Sequence, residues 1–148
     1  MKHIEVTLNL EVVAPLLDFI KPVIATLDHE TAFAPEMAQA DRELEGVWRE
    51  GLIHTQVKDC RLLLALFGPE FFESGRIVFH QENSDAVLRA ASAVRLKLRE
   101  TALKTLDDAA IEGGEIELEK LSERERMGFA SYLFLATLQE IIIKHLGV

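Results

Sequence analysis

A chain of 148 residues can bury a hydrophobic core as one domain, covering 1–148, without disulfide bonds. Its formal net charge of −9 repels phosphate backbones and argues against a nucleic-acid-binding protein. The hydrophobic content of 49% is generous for a monomer of this size, which predicts a homodimer.

The chain carries no sequence signal for export or for membrane insertion. Its first residues alternate apolar and polar side chains, unlike a secretory signal peptide. The uncharged run Met127–Leu138 is shorter than the roughly 20 apolar residues that a membrane span requires. The single cysteine, Cys60, sits beside an apolar run and is expected to be a buried, unreactive thiol. We therefore expect a soluble cytoplasmic protein that does not bind membranes.

The N-terminal region predicts a strand followed by a helix. Residues 4–10 alternate apolar and polar side chains, which is typical of a half-buried strand. From Val13 to Leu27 the apolar residues recur at helical spacing. Pro15 is tolerable in a first helical turn, whereas Pro22 is expected to bend this helix outward or split it near Asp18.

A long helical region is predicted from Glu36 to Phe67. Leu44 and Trp48 belong to one apolar stripe, and a second stripe follows it along the region. The two stripes drift out of phase across two glycines at 46 and 51, so we expect a kink or a short break there. The dipeptide 68–69, Gly-Pro, should end the region.

The middle of the chain repeats the order of strand and helix. Gly75–His80 is a short strand candidate, and pairing it with the N-terminal strand would satisfy the backbone groups of both. Ser84 or Asp85 can cap the next helix, which is predicted to continue to the glycines at 113–114. The alternating acidic stretch 115–119 is either a loop or a weak third strand.

The C-terminal region predicts the helix around which the fold is built. Ser122 and Glu125 have the spacing of a capping box, which marks a helix start. The twelve uncharged residues of Met127–Leu138 are apolar around nearly the whole helix, and Phe129 and Leu133 should both be buried. The predicted fold is a mainly α, single-domain helical bundle around this central C-terminal helix, with a minor two-stranded β element.

Several segments resemble the bacterial family DUF2017. The resemblance lies in the N-terminal strand and apolar helix, in the run Ala86–Leu98, and in the run Tyr132–Gln139, about half of the chain in all. The chain departs from the family pattern at Ser92, where an asparagine is expected, and at Arg99, where glycine is common. Membership would imply a small, mainly helical protein without an established activity. The family's genes often lie beside the gene of the adaptor that supplies substrates to the Clp protease, so a link to that adaptor is implied.

No motif for catalysis, metal binding or cofactor binding is present. The five histidines show no zinc-ligand spacing, and no glycine-rich phosphate loop or nucleophile elbow occurs. Six acidic residues between Asp107 and Glu119 lack the alternating ligands of an EF-hand. We therefore predict no enzyme activity, no metal and no cofactor.

Four polar residues interrupt helices that are otherwise set for burial: Ser92, Arg95, Gln139 and Glu140. A buried guanidinium requires a partner, and Glu140 is the predicted partner of Arg95 if the two helices pack antiparallel. The same residues could instead line a pocket for a ligand that carries a carboxylate.

The function that this sequence predicts is a non-catalytic protein-interaction domain that forms a homodimer and contacts another protein. Leu96 with Leu103, or the region of Trp48, are the candidate dimer contacts, and Trp48 should lie in the core or at the interface. The alternative is a small-ligand sensor with Arg95 in its pocket. A transcriptional regulator ranks third, because a DNA-recognition helix would carry more positive charge.

Overall fold

A computed structural model gives the positions of residues 2–29, 42–113 and 116–147, with backbone alone for 42–45. This part of the chain is mainly helical and contains one two-stranded sheet, as predicted. In chain order the elements are β1 (His3–Thr7), α1 (Leu10–Thr26), α2 (Arg42–Ala65), α3 (Pro69–Ser74), β2 (Arg76–His80), α4 (Ser84–Glu100), α5 (Asp108–Gly113) and α6 (Glu123–Leu146), with single 3₁₀ turns at Gln81–Asn83 and Leu118–Lys120.

The two strands pair with each other in antiparallel orientation, which confirms the predicted pairing. His3 lies opposite His80, and the centroids of their imidazole rings are 6.0 Å apart. Strand β1 ends at Thr7, earlier than the alternating pattern predicts. The last hydrogen bond of the pairing comes from the Leu8 amide, after which the chain enters α1, where Asn9 is the N-cap residue and its side-chain oxygen accepts the Glu11 amide at 3.1 Å.

Helix α1 is continuous through both prolines, so the predicted split near Asp18 is wrong. Pro15 lies in the second turn rather than in the first. The prolines remove the amides that would bond the carbonyls of Glu11 and Asp18. All four residues are on the exposed side of the helix, where water can bond these carbonyls instead. The missing bonds therefore do not break the helix.

Helix α2 also runs without interruption through Gly46 and Gly51, which contradicts a break there. A Cβ atom at either glycine would meet no other atom within 4 Å. These glycines are thus exposed positions of low helix propensity, and packing elsewhere holds the helix together. The predicted start at Glu36 lies outside the described residues. The helix ends at Ala65, and Pro69 begins α3, as the predicted stop requires.

Helix α4 ends at Glu100, well before the predicted end near residue 113. The chain turns at Thr101, whose φ and ψ of −114° and −89° are not helical. The turn brings Ala102 and Leu103 under Gly128 of α6, where a Cβ atom on the glycine would lie 2.7 Å from the Ala102 Cβ. Leu103 is consequently a core residue, so the prediction that it contributes a dimer contact is wrong.

Two other boundaries differ from the sequence prediction. Asn83 is the N-cap residue of α4, and Ser84 is its first helical residue, with a hydroxyl that donates to the Gln81 carbonyl at 2.7 Å. Within the described residues, the acidic stretch after α5 forms the 3₁₀ turn Leu118–Lys120 and no third strand. The loop interpretation of this stretch is therefore the correct one.

The C-terminal helix α6 begins with the predicted capping box. The Ser122 hydroxyl accepts the Glu125 amide at 3.1 Å, and the Glu125 carboxylate accepts the Ser122 amide at 2.9 Å. The bond from the Ser122 amide, aided by the hydroxyl of Thr105, lowers the pKa of Glu125. The cap therefore stabilises the fold at pH values above the ordinary glutamate pKa. This stabilisation is lost as the pH falls through the lowered pKa of Glu125.

Helix α6 packs against α1, α4 and β1, while α4 packs between α6 and α2. The two helices together hold the core. Phe129 is buried, with 8% of its surface exposed, as predicted. Leu133 is 46% exposed, so the expectation that it is buried is wrong. A helix that is apolar on every side needs partners on every side, and no described element covers α6 at Leu133.

The contrast between these two residues gives a stability prediction. Phe129→Ala should lower the free energy of unfolding by about 3–5 kcal/mol, because it removes buried apolar surface and leaves a cavity. Leu133→Ala, the matched control on the same helix, should cost about 1 kcal/mol or less. Urea unfolding followed by circular dichroism measures both values. Equal losses in the two variants would contradict the observed orientation of α6.

Candidate functional site

The predicted polar residues lie at the contact between α4 and α6. Arg95 of α4 donates from Nη1 to the Oε1 atom of Gln139 on α6, at 2.8 Å. Its guanidinium carbon lies 4.3 Å from the centre of the Tyr132 ring, a cation–π distance. Arg95 is thus held by one amide oxygen and one aromatic face.

Gln139 connects the two helices through both ends of its amide. Its side chain is buried, and the Nε2 atom donates to the Ser92 hydroxyl at 2.8 Å and to the Leu88 carbonyl at 3.0 Å. The Oε1 atom receives the bond from Arg95. Three of the four predicted residues, Ser92, Arg95 and Gln139, therefore form one hydrogen-bonded cluster.

The fourth predicted residue, Glu140, lies outside this cluster on the exposed side of α6, so its predicted pairing with Arg95 is wrong. Successive residues of an α-helix point about 100° apart, since 3.6 residues make one turn. The rotation of α6 turns Gln139 toward α4 and Glu140 toward solvent. Arg95 consequently meets a neutral amide where the sequence predicted a carboxylate.

The charge of Arg95 is not neutralised within the described residues, because its partners there are an amide oxygen and an aromatic ring. Its Nε atom is buried and has no hydrogen-bond partner in this part of the chain. A buried donor that lacks an acceptor is energetically costly, more so on a charged group.

A cavity of about 350 Å³ adjoins the cluster. It is lined by Ser92, Arg95, Leu96, Arg99, Glu112 and Tyr132. The Tyr132 hydroxyl donates to the Glu112 carboxylate at 3.0 Å, and Arg99 donates to the same carboxylate at 3.3 Å. Contact with Asp108, more than with Tyr132 and Glu112, raises the pKa of Arg99. The cavity thus contains two guanidiniums and one carboxylate.

Three residues of this site, Tyr132, Arg99 and Glu112, are not among the four predicted from the sequence. The spacing of Arg95 and Arg99, four residues apart on one helix, is a signal that could have placed both on one face. Tyr132 lies two helical turns before Gln139 and shares its face for the same reason. Glu112 gives no such signal, because it reaches the site through the turn that ends α4.

A second concave surface, which we call the α2–α4 groove, has a volume of about 420 Å³. Its lining residues are Leu52, Thr55, Gln56 and Asp59 of α2 with Leu88, Arg89, Ala90, Ser92, Ala93 and Leu96 of α4. Asp59 is buried and accepts two bonds from Arg89, at 2.9 and 3.0 Å. These two are the charged residues of the lining, so the groove carries no net charge.

Large apolar side chains border the α2–α4 groove. Trp48 precedes Leu52 by one helical turn and is 43% exposed, while Leu96 on the opposite wall is 41% exposed. The expectation that Trp48 lies in the core is therefore wrong, and its place at an interface stays a prediction. Exposed tryptophan and leucine beside an apolar groove are typical of contact surfaces.

Cys60 is a free thiol and is buried, as the sequence predicts. Burial, with smaller contributions from the carboxylates of Asp59 and Asp28, raises its pKa to about 11. The thiol is therefore protonated and poorly reactive at neutral pH. Among the described residues, no group of three or more His, Cys, Asp or Glu side chains is placed to hold a metal ion.

By length and composition alone, α6 could cross a membrane, and it is the one such helix in the described ranges. Within its most apolar window of 18 residues, 44% of the residues are buried in the fold. Core helices of soluble proteins pass the same test, so this property of α6 is weak evidence for a membrane span.

The sequence model of a family described as a domain of unknown function, DUF2017, matches residues 25–146. The match confirms the resemblance and is wider than the segments that suggested it. It leaves out β1 and nearly all of α1, so the N-terminal strand and helix do not contribute to it. No curated protein and no solved structure matches the chain significantly.

The contacts of Gln139 predict a large difference between two neighbouring residues. Gln139→Ala should lower the free energy of unfolding by about 2–3 kcal/mol, because it leaves a second donor of Arg95 without an acceptor. Glu140→Ala should change the stability by no more than about 0.5 kcal/mol, since Glu140 is exposed. Chemical unfolding of both variants tests this. A larger loss of stability for Glu140→Ala than for Gln139→Ala would indicate that Glu140 does form the predicted ion pair with Arg95.

Proposed function

We propose that this chain, which belongs to the DUF2017 family, is a non-catalytic protein-interaction domain that forms a homodimer. The observation that carries the proposal is the α2–α4 groove, an apolar concave surface bordered by exposed Trp48 and Leu96. Aromatic and large aliphatic side chains supply most of the binding free energy in protein interfaces. Covering such an apolar surface with a partner releases water from it and lowers the free energy.

A second copy of the chain fits this surface because the groove and its apolar border occur on the same face. In a twofold dimer, each copy presents the same patch to the other. Trp48 of one copy can then pack against the groove of its partner, while its own groove receives the partner's tryptophan. One self-complementary surface therefore supplies both halves of the contact.

Charge also favours the α2–α4 groove as the contact. The net charge of −9 makes two copies repel each other at long range. Asp59 and Arg89 neutralise each other inside the groove, so closing it requires no unpaired charge to leave water. Salt at physiological concentration screens the remaining repulsion beyond about 8 Å.

The proposal extends to the cellular setting of the dimer. The free, buried thiol of Cys60 supports a reducing compartment, so we place the protein in the cytoplasm. Because genes of this family often lie beside that of the Clp protease adaptor, the adaptor is the proposed second protein partner. Neither nucleic acid nor a membrane is a proposed partner of this acidic chain.

The dimer proposal is tested by light scattering coupled to gel filtration at micromolar concentration. The wild-type protein should have twice the chain mass of 16.6 kDa. Trp48→Glu and Leu96→Glu should each produce the monomer, because a buried charge opposes association. Ile143→Glu, an exposed apolar position on α6, is the matched control and should leave the dimer intact. A wild-type mass of one chain would contradict the proposal.

The second candidate function is a small-ligand sensor, and it is specifically favoured by the Arg95 guanidinium, which lines a cavity and, among the described residues, has only a neutral amide and an aromatic ring as partners. A ligand carboxylate in the adjoining cavity could pair with the guanidinium of Arg95, which lines that cavity, and neutralise its charge. Glu112, which already accepts from Tyr132 and Arg99, would repel a ligand with a second negative charge nearby. The site therefore suits a monocarboxylate better than a dicarboxylate.

Thermal unfolding with a panel of small monocarboxylates and dicarboxylates tests the sensor function. A fitting monocarboxylate should raise the melting temperature by about 5 °C at saturation, because it binds the folded state alone. Arg95→Ala should abolish the shift. Arg124→Ala, which removes an exposed guanidinium at the start of α6, should retain it. An equal shift in the Arg95 variant would contradict a site at Arg95.

A further inference from the structure

The backbone hydrogen bonds of the sheet leave one edge of β2 open. The Leu8 amide donates to the Gly75 carbonyl at 2.8 Å, and the Gln81 amide donates to the Lys2 carbonyl at 3.1 Å. In an antiparallel pair, alternate residues direct their backbone groups toward the neighbouring strand. Odd-numbered residues of 75–81 therefore bond to β1, and the even-numbered ones direct their backbone groups away from it.

The outward backbone groups of β2 form a short row of unused donors and acceptors. The amide and carbonyl of Val78, at the centre of the strand, make no hydrogen bond within the described residues, nor do the Arg76 carbonyl and the His80 amide. The Arg76 amide is partly satisfied by the Ser74 hydroxyl at 3.3 Å. Such a row is a template on which another strand can bond.

A cavity of about 380 Å³ runs along this same edge. All five residues of β2 line it and no residue of β1 does, so the cavity lies on the side of β2 opposite its partner strand. Its other walls come from the end of α2, the start of α3 and the first turns of α4, with Leu62, Phe71 and Val87 among them. The open edge therefore forms the floor of an apolar groove, which we call the β2 groove.

We propose that the β2 groove binds an extended peptide segment of a partner protein, which joins the sheet as a third strand. Two bonds to Val78 and further bonds to Arg76 and His80 would hold the peptide backbone. Alternate side chains of the added strand would point to the same side as Ile77 and Phe79, toward the apolar walls. The segment therefore carries an apolar residue at every second position.

Charge near the β2 groove determines the remaining positions of the segment. Residues 69–85 contain four carboxylates and one guanidinium, that of Arg76. Arg76 is already held by Glu70 and Glu5, which raise its pKa. The surroundings of the groove are thus acidic, and basic residues at the alternate, outward positions of the peptide complement them.

The same acidic surroundings disfavour a second copy as the occupant of the β2 groove. Pairing β2 with the β2 of another copy would bring two sets of these carboxylates together. The site is separate from the proposed dimer contact, so peptide binding should persist in the monomeric variant Leu96→Glu, and either proposal can fail alone.

The test uses a synthetic peptide of alternating lysine and valine, seven residues long with blocked ends. Two controls carry N-methyl groups on all lysine amides or on all valine amides. In an added strand, either the lysine amides or the valine amides face β2, and the others face away from it. Methylation of the amides that face β2 should abolish binding, whereas methylation of the other amides should leave it unchanged. Titration calorimetry measures the affinities. Equal binding by all three peptides would show attraction by charge alone and overturn the proposal.

Amide hydrogen exchange then locates the bound peptide. The amides of Val78 and His80 should exchange at least tenfold more slowly with the lysine–valine peptide, while those of Ile77 and Phe79 are protected in its absence. Protection of Val78 before any peptide is added would mean that the chain itself or a second copy covers the edge, and would contradict the proposal. No added protection at Val78 with bound peptide would contradict it equally.

A proline substitution tests the central donor directly. Val78→Pro removes an amide that no described residue uses, and proline is tolerated on an edge strand. It should weaken peptide binding at least tenfold. Thr7→Pro, which removes an outward amide of β1, is the matched control and should bind as the wild type does. Unchanged binding by a folded Val78→Pro variant would overturn the proposal. If that variant does not fold, the binding of the methylated peptides tests the third strand instead.

Discussion

Helix α4 packs between α2 and α6, and the positions of the sheet and of both flanking helices follow from this packing. Val94 and Leu98 are fully buried along α4, and the small buried residues Ala90, Ala91 and Ala93 allow the flanking helices to approach closely. Strand β2 leads into α4 through one 3₁₀ turn, so the position of α4 also fixes the sheet. Because α4 faces a helix on each side, grooves between helices form along its borders.

Polar contacts at these borders set how the flanking helices are turned. Asp59 is bound by Arg89 on the side of α2, and Gln139 bonds three groups of α4 on the side of α6. A buried polar group loses its partners if its helix rotates or slides, so each contact favours one arrangement. The apolar groove and the cavity at Arg95 follow from these arrangements, as does the separation of the proposed contact surfaces.

Local sequence signals were enough to predict the strands, the capping box of α6 and the mainly helical fold, because these features depend on neighbouring residues. Which side of α6 is covered depends on the elements that pack against it, so the local sequence could not predict that Leu133 is exposed. The choice between Gln139 and Glu140 as the partner of Arg95 likewise depends on the rotation of α6. The break predicted near Pro22 is absent, because the loss of one backbone hydrogen bond on the exposed side does not break a helix that is packed on its other side.

Amide hydrogen exchange at two protein concentrations tests the central claim, that α4 is the inner helix and that contacts with other proteins form at its borders. We expect the slowest exchange in α4 and in the side of α6 that faces it, at both concentrations. We also expect the protection gained at the higher concentration to be confined to the α2–α4 groove, near Trp48 and Leu96. Exchange in α4 as fast as at the start of α2, or protection independent of concentration, would contradict the central claim.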